Sequence, residues 1–169
     1  MPSVLPYDPE WARRFEVERA TLERILARWL KGGVHHIGST AVPGLAAKPI
    51  IDMIAGVRDL EESRAAFEPL KTLGYVHRSH RPEAHAFHRD GHHLHLTVPG
   101  SDLWRERLAF RDALRADPAL VEEYAVWKAR HADGTGGDDP YTGDKRPLVL
   151  RVLANAGIEL KPDDERLSR

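Results

Sequence analysis

Apolar residues recur at helical spacing near the start of the chain. Trp11, Phe15, Leu22, Ile25, Leu26 and Trp29 share one stripe, with charged residues between them. Asp8-Pro9-Glu10 opens this predicted helix: Asp8 caps, Pro9 suits the first turn and Glu10 faces the positive helix end. Lys31-Gly32-Gly33 predicts its end. The pattern then shortens. Residues 34–37 read as a strand and residues 38–48 as a loop rich in Gly, Ala and Pro. Residues 49–57 read as a strand apolar on both faces, hence central and covered on both sides. Residues 59–73 predict a helix with Leu60, Ala66, Phe67, Leu70 and Leu73 inside, and another strand starts at residues 74–77.

Residues 84–98 form the clearest hairpin, turning at Asp90-Gly91. That turn pairs Arg89 with His92, His88 with His93, Phe87 with Leu94 and Ala86 with His95. Alternation then puts Phe87, Leu94, Leu96 and Val98 on a core face, and Ala84, Ala86, His88, His93, His95 and Thr97 on the other. Helices are expected from Ser101-Asp102 to about residue 116, and from Asp117-Pro118 to about residue 131 with Leu120, Tyr124 and Trp127 inside. Residues 133–140 read as a flexible loop. A last helix runs from near Asp144 to Asn155-Ala156-Gly157. The whole predicts one domain over residues 1–160 and a charged tail over 161–169, with no internal repeat.

Composition narrows the chemistry. The 169 residues suffice for one core without a disulfide or structural metal, and cysteine is absent, which excludes thiolate nucleophiles and Cys-held metals. With 25 Lys+Arg against 26 Asp+Glu, nucleic acid is not the expected partner, although a local basic pocket remains open. Met1-Pro2-Ser3-Val4 lacks signal-peptide character, and no apolar run nears the roughly 18 residues that span a bilayer. A cytoplasmic protein with no membrane partner is expected.

Four groups of residues carry candidate chemistry. Asp52 stands in an otherwise apolar strand, Ile50-Ile51-Asp52-Met53-Ile54, where a carboxylate needs a pair, a hydrogen bond or a metal. The preceding loop offers Gly38 for close backbone approach, the Ser39 and Thr40 hydroxyls, and Lys48 as a point charge for phosphate. Its spacing is not that of a P-loop. His93 and His95 share a face in a stretch where seven of ten histidines lie between His77 and His95, and His88 and His36 are candidates to lie near them. Two imidazoles and Asp52 would suit zinc, nickel or iron. Lys145 and Arg146, in the first turn of the last helix, are disfavoured by its dipole unless an anion binds there, and Tyr141 precedes them as a stacking or hydrogen-bonding group. A structural ion pair, a tight loop, a solvated sheet face and plain exposed charge are the respective alternatives.

Several of these segments together resemble the GrpB family of the nucleotidyltransferase superfamily, the fold of DNA polymerase beta and kanamycin nucleotidyltransferase. The segments are Tyr7-Asp8-Pro9-Glu10-Trp11, the run from His36-Ile37-Gly38-Ser39-Thr40 through Lys48-Pro49-Ile50-Ile51-Asp52, His93-Leu94-His95, and Tyr141 to Lys145. The resemblance covers about residues 7–158. It implies an α+β fold: a nucleotidyltransferase-like mixed sheet of about five strands, helices packed against it and a C-terminal helical segment. It implies phosphate binding at the Gly38-Ser39 turn and a metal-binding carboxylate at Asp52. The superfamily uses an Asp-x-Asp pair and a third carboxylate to hold two magnesium ions. This chain has Ile54 at the second position, and His93, His95 and Thr97 where the third is sought. One carboxylate with imidazoles suits a softer metal than magnesium.

Three readings follow. The first is transfer of a nucleotidyl or phosphoryl group from a nucleotide. Gly38, Ser39, Thr40, Lys48, Tyr141 and Lys145 would bind nucleotide and phosphate, Asp52 and His95 would be catalytic, and a divalent metal (Mg or Mn) would assist. The second is a binding module for a nucleotide or coenzyme A-type small molecule that has lost transfer; some members of the family are joined to dephospho-coenzyme A kinase. The third is a Zn, Ni or Fe site on Asp52, His93 and His95.

Overall fold

The structure, a computed structural model, describes residues 3–78, 81–130 and 146–159. Helix α1 (Glu10–Ile25) leads into β1 (Leu30–Ile37), a 3-10 turn (Ser39–Ala41) and β2 (Ile51–Val57). A second 3-10 turn (Glu62–Ala66) runs into α2 (Phe67–Thr72), followed by β3 (Val76–Arg78), β4 (Ala84–Arg89) and β5 (His92–Thr97). Helices α3 (Asp102–Ala116), α4 (Pro118–Arg130) and α5 (Arg146–Asn155) complete the described chain. The strands form one mixed sheet in the order β1-β2-β5-β4-β3, with β2 and β5 parallel and the other neighbours antiparallel. The expected five-stranded mixed sheet with helices against it is therefore present.

Strand β2 is covered on both faces, as its apolar run predicts. On one face Ile51, Met53 and Ala55 join Trp11, Phe15 and Leu22 of α1 and Phe87, Leu94 and Leu96 of the hairpin. On the other, Ile54 packs with Ile37, Ala84 and Leu103 of α3. A third cluster links α3, α4 and α5 through Phe110, Leu114, Tyr124, Val149 and Leu153, and it takes in Val42 and Leu45 from the loop after β1. That loop is thus held between sheet and helices by its own apolar side chains. Among the described residues, no helix is long and apolar enough to cross a membrane.

The hairpin register is as predicted: Arg89 opposes His92, His88 opposes His93, Phe87 opposes Leu94 and Ala86 opposes His95. Val98 departs from the predicted core face, being 36% exposed just past β5. The polar face of the hairpin is divided. Helix α3 covers its Ala84 end, and Thr97 is buried there with its hydroxyl donating to the Glu83 carbonyl (2.7 Å).

Two boundaries also differ from expectation. Helix α1 stops at Ile25, and Lys31-Gly32-Gly33 belong to β1. The two glycines have φ of +105° and +76° and lie where the β1–β2 register shifts, between Leu30 and Val34. Their conformational freedom serves a bulge rather than a helix cap. The helix predicted over 59–73 is split into a 3-10 turn and α2. Pro69 falls in the first turn of α2, where its missing N–H leaves no bond unmade, and its ring opposes an earlier α-helical start.

His36 ties α1 to the loop. Its ring stacks on Phe15 (4.7 Å between centroids) and its Nε2 meets Thr40 Oγ1 at 2.9 Å. The Thr40 hydroxyl donates to the Ile50 carbonyl (2.9 Å), so its oxygen accepts from an Nε2–H. Burial above all, with Arg115 and Arg111 adding to it against an opposing pull from Asp52, lowers the His36 pKa to about 4. An unfolded chain takes up this proton near pH 6.5 and the folded chain near 4. Folding stability is thus fully present above about pH 6.5 and is lost as the pH falls toward 4, by on the order of 2–3 kcal/mol. Urea unfolding at pH 7, 5.5 and 4.5 should show this slope, and His36→Gln, which keeps a donor for Thr40, should flatten it.

Candidate functional site

The site forms where β1 ends beside the centre of the sheet. Pairing sets Ile37 opposite Asp52 across β1–β2, and Asp52 opposite His93 across β2–β5. The three therefore lie in one row on the α3 face. At the next residue the chain turns away through Gly38, whose φ is +75°. A Cβ on Gly38 would lie 2.6 Å from Asp52 Oδ2 and 3.1 Å from Asp52 Cβ. Only glycine permits both the left-handed turn and this approach to the carboxylate. Asp52 is not a fully buried charge: its side chain and that of His93 are each 31% exposed, and Oδ1 lies 3.1 Å from His93 Nδ1. His88 stacks on His93 with centroids 4.0 Å apart.

The far side of the turn is built by α4. Lys128 donates from Nζ to Ser39 Oγ (2.9 Å) and to the Ala46 carbonyl (3.1 Å), and its Nζ sits 5.4 Å from the centre of the Tyr124 ring. Burial lowers the Lys128 pKa to about 8; nearby Lys48 adds to this and Asp52 opposes it. Burial raises the Tyr124 pKa to about 12; Asp52 acts in the same direction, while Ser39 and Arg107 oppose it. Two arginines of α3 hold the end of β1 and the turn that follows it. Arg111 Nη1 donates to the His36 carbonyl (3.1 Å) and Arg115 Nε to the Ala41 carbonyl (2.8 Å). Together with Arg107 they recur every fourth residue, along one side of the helix.

Gly38, Ser39, Asp52 and His93 are thus brought together, and Lys48 lies close enough to act on Lys128. Thr40, expected to offer its hydroxyl to phosphate, is buried and uses it on Ile50 and His36. His36 does not join the histidine face: it packs against Phe15 on the α1 side, beside Met53. His95 shares the face of His93 but sits one pleat further on, opposite Ile54 and Ala86. Tyr141 and Lys145 lie outside the described residues. Sequence reasoning missed Lys128 and the arginines of α3. Lys128 follows the core residue Tyr124 by one helical turn, and that spacing is the signal the sequence offers.

The paired magnesium ions of the superfamily do not fit these residues. The position of the second carboxylate is Ile54, which is 0% exposed and packed with Ile37, Ala84 and Leu103. No oxygen ligand can stand there without entering an apolar layer. Among the described residues, no three His, Asp or Glu side chains are grouped so as to hold a metal ion.

This sheet, with its glycine turn and carboxylate on adjacent strands, is a nucleotidyltransferase-like fold. The structure of Cid1 in complex with the UTP analog UMPNPP matches it with a TM-score of 0.57 at 15% identity, over 89% of this chain and 48% of that one. The GrpB protein family matches residues 2–155, and the chain belongs to that family. The crystal structure of the conserved protein GrpB from Enterococcus faecalis is similar with a TM-score of 0.79 and 30% identity, over 90% of this chain and 96% of that one. The glutamate-rich protein GrpB of Alkalihalophilus pseudofirmus is 33% identical over 89% of this chain and 92% of its own length. UPF0157 protein YqkA of Bacillus subtilis is 36% identical over 77% of this chain, which spans only 40% of that protein. A dephospho-CoA kinase of Mycolicibacterium paratuberculosis is 29% identical over 85% of this chain and 43% of its own length.

Substitutions at Gly38, Asp52 and Ile54 test the geometry. Gly38→Ala should cost about 1–3 kcal/mol in urea unfolding. Combining it with Asp52→Ala should recover the part due to collision with the carboxylate, read as a coupling energy in a double-mutant cycle. Ile54→Asp, which restores the superfamily's Asp-x-Asp pattern, should lower stability by on the order of 3 kcal/mol or more, because the charge enters an apolar layer. Full stability in that variant would show that the layer admits a ligand.

Proposed function

We propose that the chain binds the phosphates of a nucleotide or coenzyme A-type small molecule at the Gly38-Ser39 turn. One observation carries this reading: Lys128 is drawn out of water onto Ser39 and the Ala46 carbonyl, beside a second cation, Lys48. A lysine beside the turn, a second lysine that acts on it, a hydroxyl and an open glycine turn favour an anion there. The relative described as dephospho-CoA kinase is consistent with an adenine nucleotide or coenzyme A as the ligand. A second reading is transfer of a nucleotidyl or phosphoryl group at this site. It is favoured by the contact of Asp52 with His93, which fixes both side chains at the edge of the turn. A transition-metal site on Asp52, His93 and His95 has less support, since His95 stands apart from the other two.

Thermal unfolding with nucleoside triphosphates and coenzyme A, each with and without Mg²⁺ or Mn²⁺, tests the binding reading. A ligand at a hundred times its Kd adds about 2.7 kcal/mol, which for a chain of this size raises Tm by roughly 5–10 °C. The rise should shrink in Lys48→Ala and Ser39→Ala. If no nucleotide or coenzyme A raises Tm, the proposal fails. Turnover of a bound nucleotide that is abolished by Asp52→Asn would favour the second reading.

A further inference from the structure

Lys128 reaches the Ser39 hydroxyl across the face of Tyr124. Ser39 Oγ accepts from Lys128 Nζ at 2.9 Å, and that Nζ lies 5.4 Å from the centre of the Tyr124 ring. Ser39 itself is only partly buried and follows an exposed Gly38, so a ligand can reach it. A serine hydroxyl is a weak nucleophile until a neighbouring base takes its proton, and a lysine held in a partly dry site is one such base.

We propose that Ser39 is an activated nucleophile, with Lys128 as its base, that accepts the terminal phosphoryl group of the bound nucleotide. This rests on the binding reading above. Ser39 Oγ attacks the terminal phosphorus; the new O–P bond forms as the bond to the bridging oxygen breaks, and a nucleoside diphosphate leaves. The serine proton passes to Lys128 Nζ. The base thereby becomes an ammonium beside the phosphate it has helped to attach, with Lys48 close by. Arg111 and Arg115 keep the turn in place through the His36 and Ala41 carbonyls. Burial above all lowers the Lys128 pKa, to about 8; Lys48 adds to this and Asp52 opposes it.

The test uses the full chain and two reagents followed by intact-mass and peptide mass spectrometry. The first is an alkyl fluorophosphonate, which forms a Ser–O–P bond with loss of fluoride and requires no nucleotide recognition. The second is a nucleoside triphosphate that raises Tm. Both should modify Ser39, with no adduct there in Ser39→Ala. Fluorophosphonate labelling should speed up as the pH passes about 8. Lys128→Arg keeps a donor for Ser39 but cannot act as a base, and should label about a hundredfold more slowly while retaining the wild-type Tm. Lys128→Gln should behave likewise if arginine does not fit. Equal labelling rates in wild type and a folded Lys128 variant overturn the assignment, as does an unlabelled Ser39. Nucleotide binding without phosphate on Ser39 overturns the transfer step and leaves the binding reading intact. A Lys128-dependent fluorophosphonate adduct without nucleotide binding supports the activated serine and overturns the binding reading.

Discussion

The close approach of Gly38 to the Asp52 carboxylate is the constraint around which the site is arranged. It requires a strand that ends beside the central strand, a residue without a side chain, and a carboxylate that lies in the sheet row yet reaches water. Each condition limits the others. Moving Asp52 by one residue would point it into the α1 core, and moving Gly38 would bring a Cβ against the carboxylate. The bonds from Arg111, Arg115 and Lys128 to the carbonyls of His36, Ala41 and Ala46 then fix the turn from both of its ends.

The apolar layer on the α3 face draws the limit of the site. Asp52 and Ile54 point the same way from β2, but Ile54 is sealed beneath Leu103 and Ile37. Next to the turn the polar groups of the face are the row of Asp52, His93 and His88, with His95 one pleat further on. This narrow row explains why the carboxylate partner here is an imidazole and why a superfamily metal pair has no place.

Much of this was legible along the chain. The hairpin register followed from Asp90-Gly91 alone, because a two-residue turn fixes every pair beyond it. The central position of β2 followed from its apolar residues on both faces. The resemblance of the segment from His36 to Asp52 carried both the sheet and the family. What sequence did not show depends on contacts between distant elements. Lys31-Gly32-Gly33 reads along the chain as a helix stop, and only the pairing of β1 with β2 shows it to be a strand bulge. Thr40 reads as a loop hydroxyl until His36 and Ile50 are seen to use it. Lys128 resembles any other cation on a helix until α4 is laid across Ser39.

The parallel pairing of β2 with β5 has a kinetic consequence. Asp52 and His93 are separated along the chain by α2, β3 and β4 and meet only through this pairing. Non-local pairings of this kind close slowly, because the entropy of the long loop is lost before its contacts form. The carboxylate and imidazole thus meet only when this slowly closing pair of strands forms. Partly folded chains, with the hairpin made but β5 undocked, would lack the site altogether, so the contact between these two side chains reports the completion of the sheet.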